Sequence, residues 1–135
     1  MGTDLQSQTV HFVLIDDDDV SNMLAKNIIK RYIQLTEFTV FTNPEKALLF
    51  LKTLKNPVIV LLDINMPTLS GWDVLEKIEQ FPQQILDLLK IYIVSSSINA
   101  DDYERAASNH IVLGYLEKPI TSGQIMMYFA SLNTN

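Results

Sequence analysis

The segment Val58–Leu62 is five apolar residues in a row, Val-Ile-Val-Leu-Leu, and it runs straight into an acid, Asp63. A strand with one wet face alternates polar and apolar side chains. A strand without alternation is covered on both faces, as in the middle of a parallel sheet layered between helices. Parallel neighbours cannot be joined by a tight hairpin, so a crossover, usually helical, must separate them. The rest of the chain should therefore alternate strands with helices.

It does. His11–Ile15 reads as a first strand and is followed by four aspartates, Asp16–Asp19. Val20 to Tyr32 then carries Val20, Leu24, Ile28 and Tyr32 at i+4 spacing, flanked by Met23 and Ile29, and predicts a helix buried on that stripe. Glu37–Thr42 is rich in β-branched and aromatic residues and predicts a second strand. Asn43-Pro44 is a helix start, with Ala47, Leu48, Leu51 and Leu54 as the inner face and Asn56-Pro57 as the stop.

After Asp63 comes a loop with Pro67 and Gly71, then a helix with Trp72, Leu75, Ile78 and Phe81 on one side. Ile91–Val94 predicts the fourth strand, ending in Ser95-Ser96-Ser97. Asn99 can cap a fourth helix with Asp101 and Asp102 in its first turn and Ala106 and Ala107 facing inward. Ile111–Leu116 predicts the fifth strand, ending near Lys118-Pro119. Thr121-x-x-Gln124 has the form of a capping box and opens a last helix with Ile125, Phe129 and Leu132 inside.

Five strand–helix units with right-handed crossovers make a three-layer α/β/α domain, a five-stranded doubly wound parallel sheet of flavodoxin-like type. Strand order 2-1-3-4-5 is the expectation by analogy with other five-unit sheets, since spacing alone does not order the strands. A length of 135 residues suits one domain, and a 47% hydrophobic composition suits a real core.

The formal net charge of -6 argues against direct nucleic-acid binding, which needs a basic face. The absence of cysteine rules out disulfides and thiolate chemistry and is compatible with a cytoplasmic location, which is the expectation. No secretion signal is expected, because residues 1–9 are polar and the next apolar run is short and ends in acids. Gln6 stands where a myristoylation motif wants Ser or Thr, and no stretch is long enough to span a bilayer.

In an open α/β sheet ligands bind beyond the carboxyl ends of the strands, where the strand order reverses. The expected order gathers Asp16, Asp17, Asp63, Ser95 and Lys118 on that rim. Clustered carboxylates repel one another, and a divalent cation relieves the repulsion. Mg²⁺ suits oxygen ligands and usually binds through one or two carboxylates with phosphate oxygens. A carboxylate can attack phosphorus to give an acyl phosphate, while Lys118 and Ser95 offer donors to the transferred group.

The same residues carry a family resemblance. The apolar strand ending in Asp16-Asp17, the stretch Val58 to Pro67 with Asp63-Ile64-Asn65-Met66-Pro67 at its end, and Gly71 form its first half. Ile93-Val94-Ser95-Ser96 and Gly114-Tyr115-Leu116-Glu117-Lys118-Pro119 complete it. In this order, from about His11 to Leu132, they resemble the response-regulator receiver domain of two-component signalling.

The resemblance implies that Asp63 is the phosphoacceptor, Asp17 a direct metal ligand and Asp16 a ligand through water, with the Asn65 backbone carbonyl completing the metal site. It implies Mg²⁺ as cofactor, with Mn²⁺ able to substitute. It assigns Lys118 to phosphate contact, Ser95 to the hydroxyl that moves toward the phosphoryl group, and Tyr115 to the aromatic switch that turns inward behind it. Lys118-Pro119 resembles the family's cis peptide. Ser95 stands where many members have Thr, so the switch lacks a methyl.

The implied partners are a sensor histidine kinase or histidine phosphotransfer protein and a downstream protein target, with no nucleic acid and no membrane. Residues 1–9 are expected to be a polar tail and 10–133 the receiver. With no output domain after Leu132, the expected output is a change in the surface of the fourth helix, fifth strand and fifth helix. The chain is expected not to be an enzyme beyond self-catalysed phosphoryl transfer and dephosphorylation.

Blander roles fit other residues. Asp18 and Asp19 suit capping of the first helix, Ser97 an ordinary loop, His11 and His110 structural positions, and Met126, Met127 and Phe129 core and near-surface packing. Among rival functions, Asp16-x-Asp18-x-Val20 fits a haloacid-dehalogenase-type aspartyl-phosphate phosphohydrolase using Asp16, but no acidic pair follows Lys118. A flavodoxin-like phosphate loop would not carry four aspartates, and an EF-hand would need its central Gly and terminal Glu.

Overall fold

The computed structural model of the chain describes residues 9–96 and 99–132. Residues 1–8 of the expected tail, Ser97 and the far end of the expected domain at residue 133 lie outside the described residues. Five parallel strands form one sheet, β1 (Val10–Ile15), β2 (Thr36–Phe41), β3 (Val58–Asp63), β4 (Leu89–Ser95) and β5 (Val112–Glu117), in the order β2-β1-β3-β4-β5. The helices are α1 (Asp19–Tyr32), α2 (Pro44–Leu51), α3 (Gly71–Ile78), α4 (Gln83–Leu86), α5 (Ala100–Ser108) and α6 (Ser122–Phe129).

Fold class and strand order agree with the expectation. The strand ends move by a residue or two, and α4 is an addition. It is a single turn after Pro82 with no side-chain cap and no buried residue, so no apolar periodicity announces it. The expected fourth and fifth helices are therefore α5 and α6.

All six residues of β3 are buried, as its unalternating sequence requires. Val58, Val60 and Leu62 join Val13, Ile15, Ile91 and Ile93 on one face, beneath Leu51 of α2, Ile78 of α3 and Ala106 of α5. Ile59 and Leu61 join Phe12, Leu14, Tyr92 and Val94 on the other, beneath Ile29 of α1 and Ile125 and Phe129 of α6. Each such side chain, fully buried, contributes roughly 1.5–3 kcal/mol.

Two helix faces differ from the expectation. In α1, Val20 and Leu24 are 57% and 53% exposed, while the buried residues are Asn22 and Ile29. The helix is turned because the Asn22 carboxamide donates to the Asp16 carbonyl at 2.9 Å, pinning its first turn to the end of β1. Hydrophobic periodicity cannot register a polar residue that points inward to satisfy a backbone group. In α5, Ala106 is buried and Ala107 exposed, because the helix meets the sheet along a narrow line.

The box at the start of α6 is only half made. Gln124 N–H donates to Thr121 Oγ1 at 3.3 Å, but the Gln124 side chain clamps Glu117, accepting from its N–H at 2.7 Å and donating to its carbonyl at 3.0 Å. A complete box stands instead at Ser70 and Asp73, at the start of α3.

Gly71 begins α3 hard against the end of β3. A methyl there would lie 2.6 Å from the Asp63 carbonyl oxygen and 2.6 Å from the Ile64 Cα, both backbone atoms that cannot swing aside. Gly71→Ala is expected to cost about 1–3 kcal/mol in urea unfolding, the usual range for overpacking.

Candidate functional site

β1 and β3 are neighbours and end level with one another, which brings Asp16 and Asp63 together. Asp16 is held from several sides. Its N–H donates to the Phe41 carbonyl at 3.0 Å, its Oδ1 accepts from Asp18 N–H at 2.9 Å, and its Oδ2 accepts from Lys118 Nζ at 2.6 Å. Asp63 Oδ1 accepts from Asn65 N–H at 3.2 Å and faces Lys118 Nζ at 3.7 Å. Asp16 and Asp63 are buried and Asp17 is exposed at the lip. One carboxylate oxygen from each lies within 4.8 Å of the other two.

The expected site residues thus converge. Lys118 reaches in from the end of β5, where Lys118-Pro119 is cis and Lys118 N–H donates to the Ser95 carbonyl at 2.9 Å. Ser95 is fully buried, and its Oγ accepts from Asn65 Nδ2 at 3.0 Å. Tyr115 is half-buried against Tyr103 of α5, with ring centroids 5.8 Å apart. Its hydroxyl is buried without a well-directed hydrogen bond among the described residues, and the Ser95 side chain is its polar neighbour.

Asp18 and Asp19 take the blander roles. Asp18 caps α1 by accepting from Val20 N–H, and Asp19 is an exposed acid in the first turn. His11 bonds Thr39 Oγ1 at 2.7 Å, and His110 is exposed. Phe129 is core, while Met126 and Met127 are 46% and 74% exposed.

Three contributors were not anticipated. Ser21 Oγ lies 3.4 Å from Lys118 Nζ, Asn22 secures Asp16, and Ser96 lines the cavity. The available signal for Asn22 was its place two turns before Ile29, on the same helix face. The cavity is about 470 Å³, and its lining includes the polar Asp17, Asp63, Asn65 and Lys118 and the apolar Leu24 and Ile120.

Electrostatics single out Asp63. Burial, then the Asp16 charge and more weakly Asp17, push its carboxyl from an ordinary 3.8 up to about 6, against the pull of Asn65 N–H and Lys118. Burial likewise raises the Tyr115 phenol, aided by Asp102 and Glu117 and opposed by Ser95. A carboxylate held in repulsion with its neighbours fits a divalent cation, which takes oxygen ligands and would lower the charge density. The donor set is all oxygen, without thiolate or imidazole, which favours a hard ion.

Comparison with known proteins agrees. The response regulator receiver domain matches residues 12–130. The chain is 31% identical over 115 residues to an uncharacterized response regulatory protein of Staphylococcus epidermidis, covering 84% of this chain and 42% of that protein. It therefore spans less than half of that relative's length. A two component response regulator from Cytophaga hutchinsonii matches with TM-score 0.82 and 29% identity, over 92% of this chain and 97% of the other. The Mn(2+)-bound form of response regulator Rcp1 matches with TM-score 0.70 and 23% identity, over 90% and 94% of the two chains. Among the described residues no helix is long and apolar enough to cross a membrane.

The Asp63 carboxyl holds its proton more tightly in the folded chain than unfolded. Between pH 3.8 and about 6 the folded state binds more protons, so this group lowers stability as pH rises through that window. Without divalent cations, Asp63→Asn is expected to raise the unfolding free energy at pH 7 by up to about 3 kcal/mol. The gain should vanish below about pH 4, as read from urea unfolding across pH.

Proposed function

The chain belongs to the response regulator receiver family of two-component signalling, and on that premise we propose that Asp63 accepts a phosphoryl group from a phosphohistidine. The donor is a sensor histidine kinase or a histidine phosphotransfer protein, and transfer requires Mg²⁺, for which Mn²⁺ can substitute. The observation that carries this is the meeting of Asp16, Asp17 and Asp63 within 4.8 Å, with Lys118 Nζ 3.7 Å from Asp63. The similar regulator Rcp1 was crystallised with Mn²⁺, which supports a divalent ion here.

A carboxylate oxygen of Asp63 attacks phosphorus in line with the leaving imidazole. A P–O bond forms as the P–N bond breaks, and the imidazole nitrogen keeps the electron pair and takes a proton. Asp16, Asp17, Asp63 and the Asn65 carbonyl would hold the cation, which when bound would supply positive charge to the transferring group. Lys118 is already beside Asp63 and moves from Asp16 toward the new phosphoryl oxygens. Ser95 turns its hydroxyl to donate to one of them. The added charge is about −1.5 to −2, by comparison with other phosphorylated side chains, so both donors are needed.

The response travels to Tyr115 and through its contact with Tyr103 to the α5–β5–α6 surface, where a protein target binds. The role is that of a signalling acceptor acting in the cytoplasm. The phosphohydrolase alternative finds no support: the family match is to receivers, and Asp16 is engaged by Lys118 and Asp18 rather than left open for attack.

Intact-mass measurement after acetyl phosphate treatment tests the proposal. One phosphoryl group should be added to the wild type with Mg²⁺ and none without it. Asp63→Ala should not be labelled, and Lys118→Ala should label on the order of 10²-fold more slowly. A labelled Asp63→Ala protein, or an unlabelled wild type with Mg²⁺, overturns it.

A further inference from the structure

β5 stands at one edge of the sheet and ends at Glu117. Lys118 follows, and its N–H donates to the Ser95 carbonyl of β4 at 2.9 Å. Successive residues of a strand turn their peptide groups to opposite sides, so those of Glu117 face the open edge. Among the described residues no strand lies there, and Gln124, in the first turn of α6, takes the place of one. Its Oε1 accepts from Glu117 N–H at 2.7 Å and its Nε2 donates to the Glu117 carbonyl at 3.0 Å. One carboxamide thus exchanges both bonds with one residue, as a paired residue on an antiparallel neighbour does.

We infer that Gln124 is a positioning residue for Lys118. By holding the Glu117 peptide from the open edge, it fixes where the lysine stem begins and so where the ammonium can reach.

Burial does not require the clamp. Glu117 is exposed, and water can satisfy an exposed peptide group. Water cannot supply a fixed distance to a rigid element. α6 is such an element, because Ile125, beside Gln124, and Phe129 are fully buried against the sheet.

Lys118 needs that reference more than most residues. Its charge rides on a flexible four-carbon stem, and its ammonium lies 2.6 Å from Asp16 and 3.7 Å from Asp63. Pro119, which follows it, has no N–H to donate. The backbone at Lys118 is therefore held by the Ser95 carbonyl on the β4 side and, one residue earlier, by Gln124 on the other. What the placed lysine is used for rests on the function proposed above. When the ammonium leaves Asp16 for a phosphoryl oxygen its own contacts change, and the backbone is what still aims it. The placement itself involves neither phosphoryl group nor metal.

Two measurements test the inference on the full chain. Gln124→Met keeps the length of the side chain and removes both bonds, and Gln124→Ala removes the bulk as well. In amide hydrogen exchange without metal or phosphoryl donor, both variants should speed exchange of the Lys118 N–H about 10-fold, while the amides of α3, across the sheet, keep their rates. In acetyl phosphate labelling with Mg²⁺, both should react about 10-fold more slowly than wild type. Added to Lys118→Ala, neither should slow labelling further, because Gln124 acts only through the lysine.

An unchanged Lys118 amide overturns the inference. So does further slowing in the Lys118→Ala background, or an effect of Gln124→Ala that Gln124→Met does not share, which would assign the effect to packing. A wild type that is not labelled at all overturns the proposed role of Asp63 instead, and the exchange measurement still decides whether Gln124 places Lys118.

Discussion

Asp16 and Asp63 are carboxylates buried at the ends of adjacent strands, and Lys118 is the cation set against both. Two charges of one sign this close and this dry are unfavourable unless something answers them. Lys118 answers Asp16 first, at 2.6 Å, and Asp63 only partly, at 3.7 Å. Burial and then the neighbouring Asp16 charge push the Asp63 carboxyl up to about 6, and Lys118 offsets only part of that. This leaves one carboxylate oxygen set in a field that a divalent cation would relieve.

Much of the surrounding structure serves this arrangement. The fully buried β3 carries Asp63 to the rim, and Gly71 lets α3 begin against the Asp63 carbonyl itself. Asn22 holds the Asp16 carbonyl from α1, so the acid is fixed by backbone as well as by charge. Gln124 closes the end of β5 at Glu117, next to the cis Lys118-Pro119 peptide that aims the lysine. Packing and charge meet at the same few atoms, and the Asp63 carboxyl is the least comfortable of them.

The far side of the pocket is tied to the last strand and its two helices by close contacts. Ser95 ends β4 in full burial, between Asn65 on one side and Tyr115 on the other. Tyr115 follows a strand irregularity: the β4–β5 register passes from Ile91 opposite Val112 to Tyr92 opposite Gly114, and Leu113 is left 54% exposed. Gly114 is itself covered by the Tyr128 ring, which a methyl there would meet at 2.5 Å. β5 is thus locked to α6 through Gly114 and to α5 through the Tyr115–Tyr103 pair. A change at Ser95 therefore has a short path to both helices.

The sequence by itself determined the layered α/β architecture, because the unbroken apolar run of β3 and the alternation of strand and helix periods admit little else. It also determined the side-chain types on the rim, since Asp16, Asp17, Asp63, Ser95 and Lys118 each stand at or just beyond the carboxyl end of a strand. Hydrophobic patterning failed where a polar group points inward or a polar side chain finds a distant partner. Asn22 turned α1 away from the face its leucine and valine suggested, and Gln124 left its cap for Glu117. Asn65 likewise reached across to Ser95. The one-turn α4 carries no periodic signal at all. These features depend on hydrogen bonds between residues that share no local pattern, and only the packed sheet brings their partners within reach.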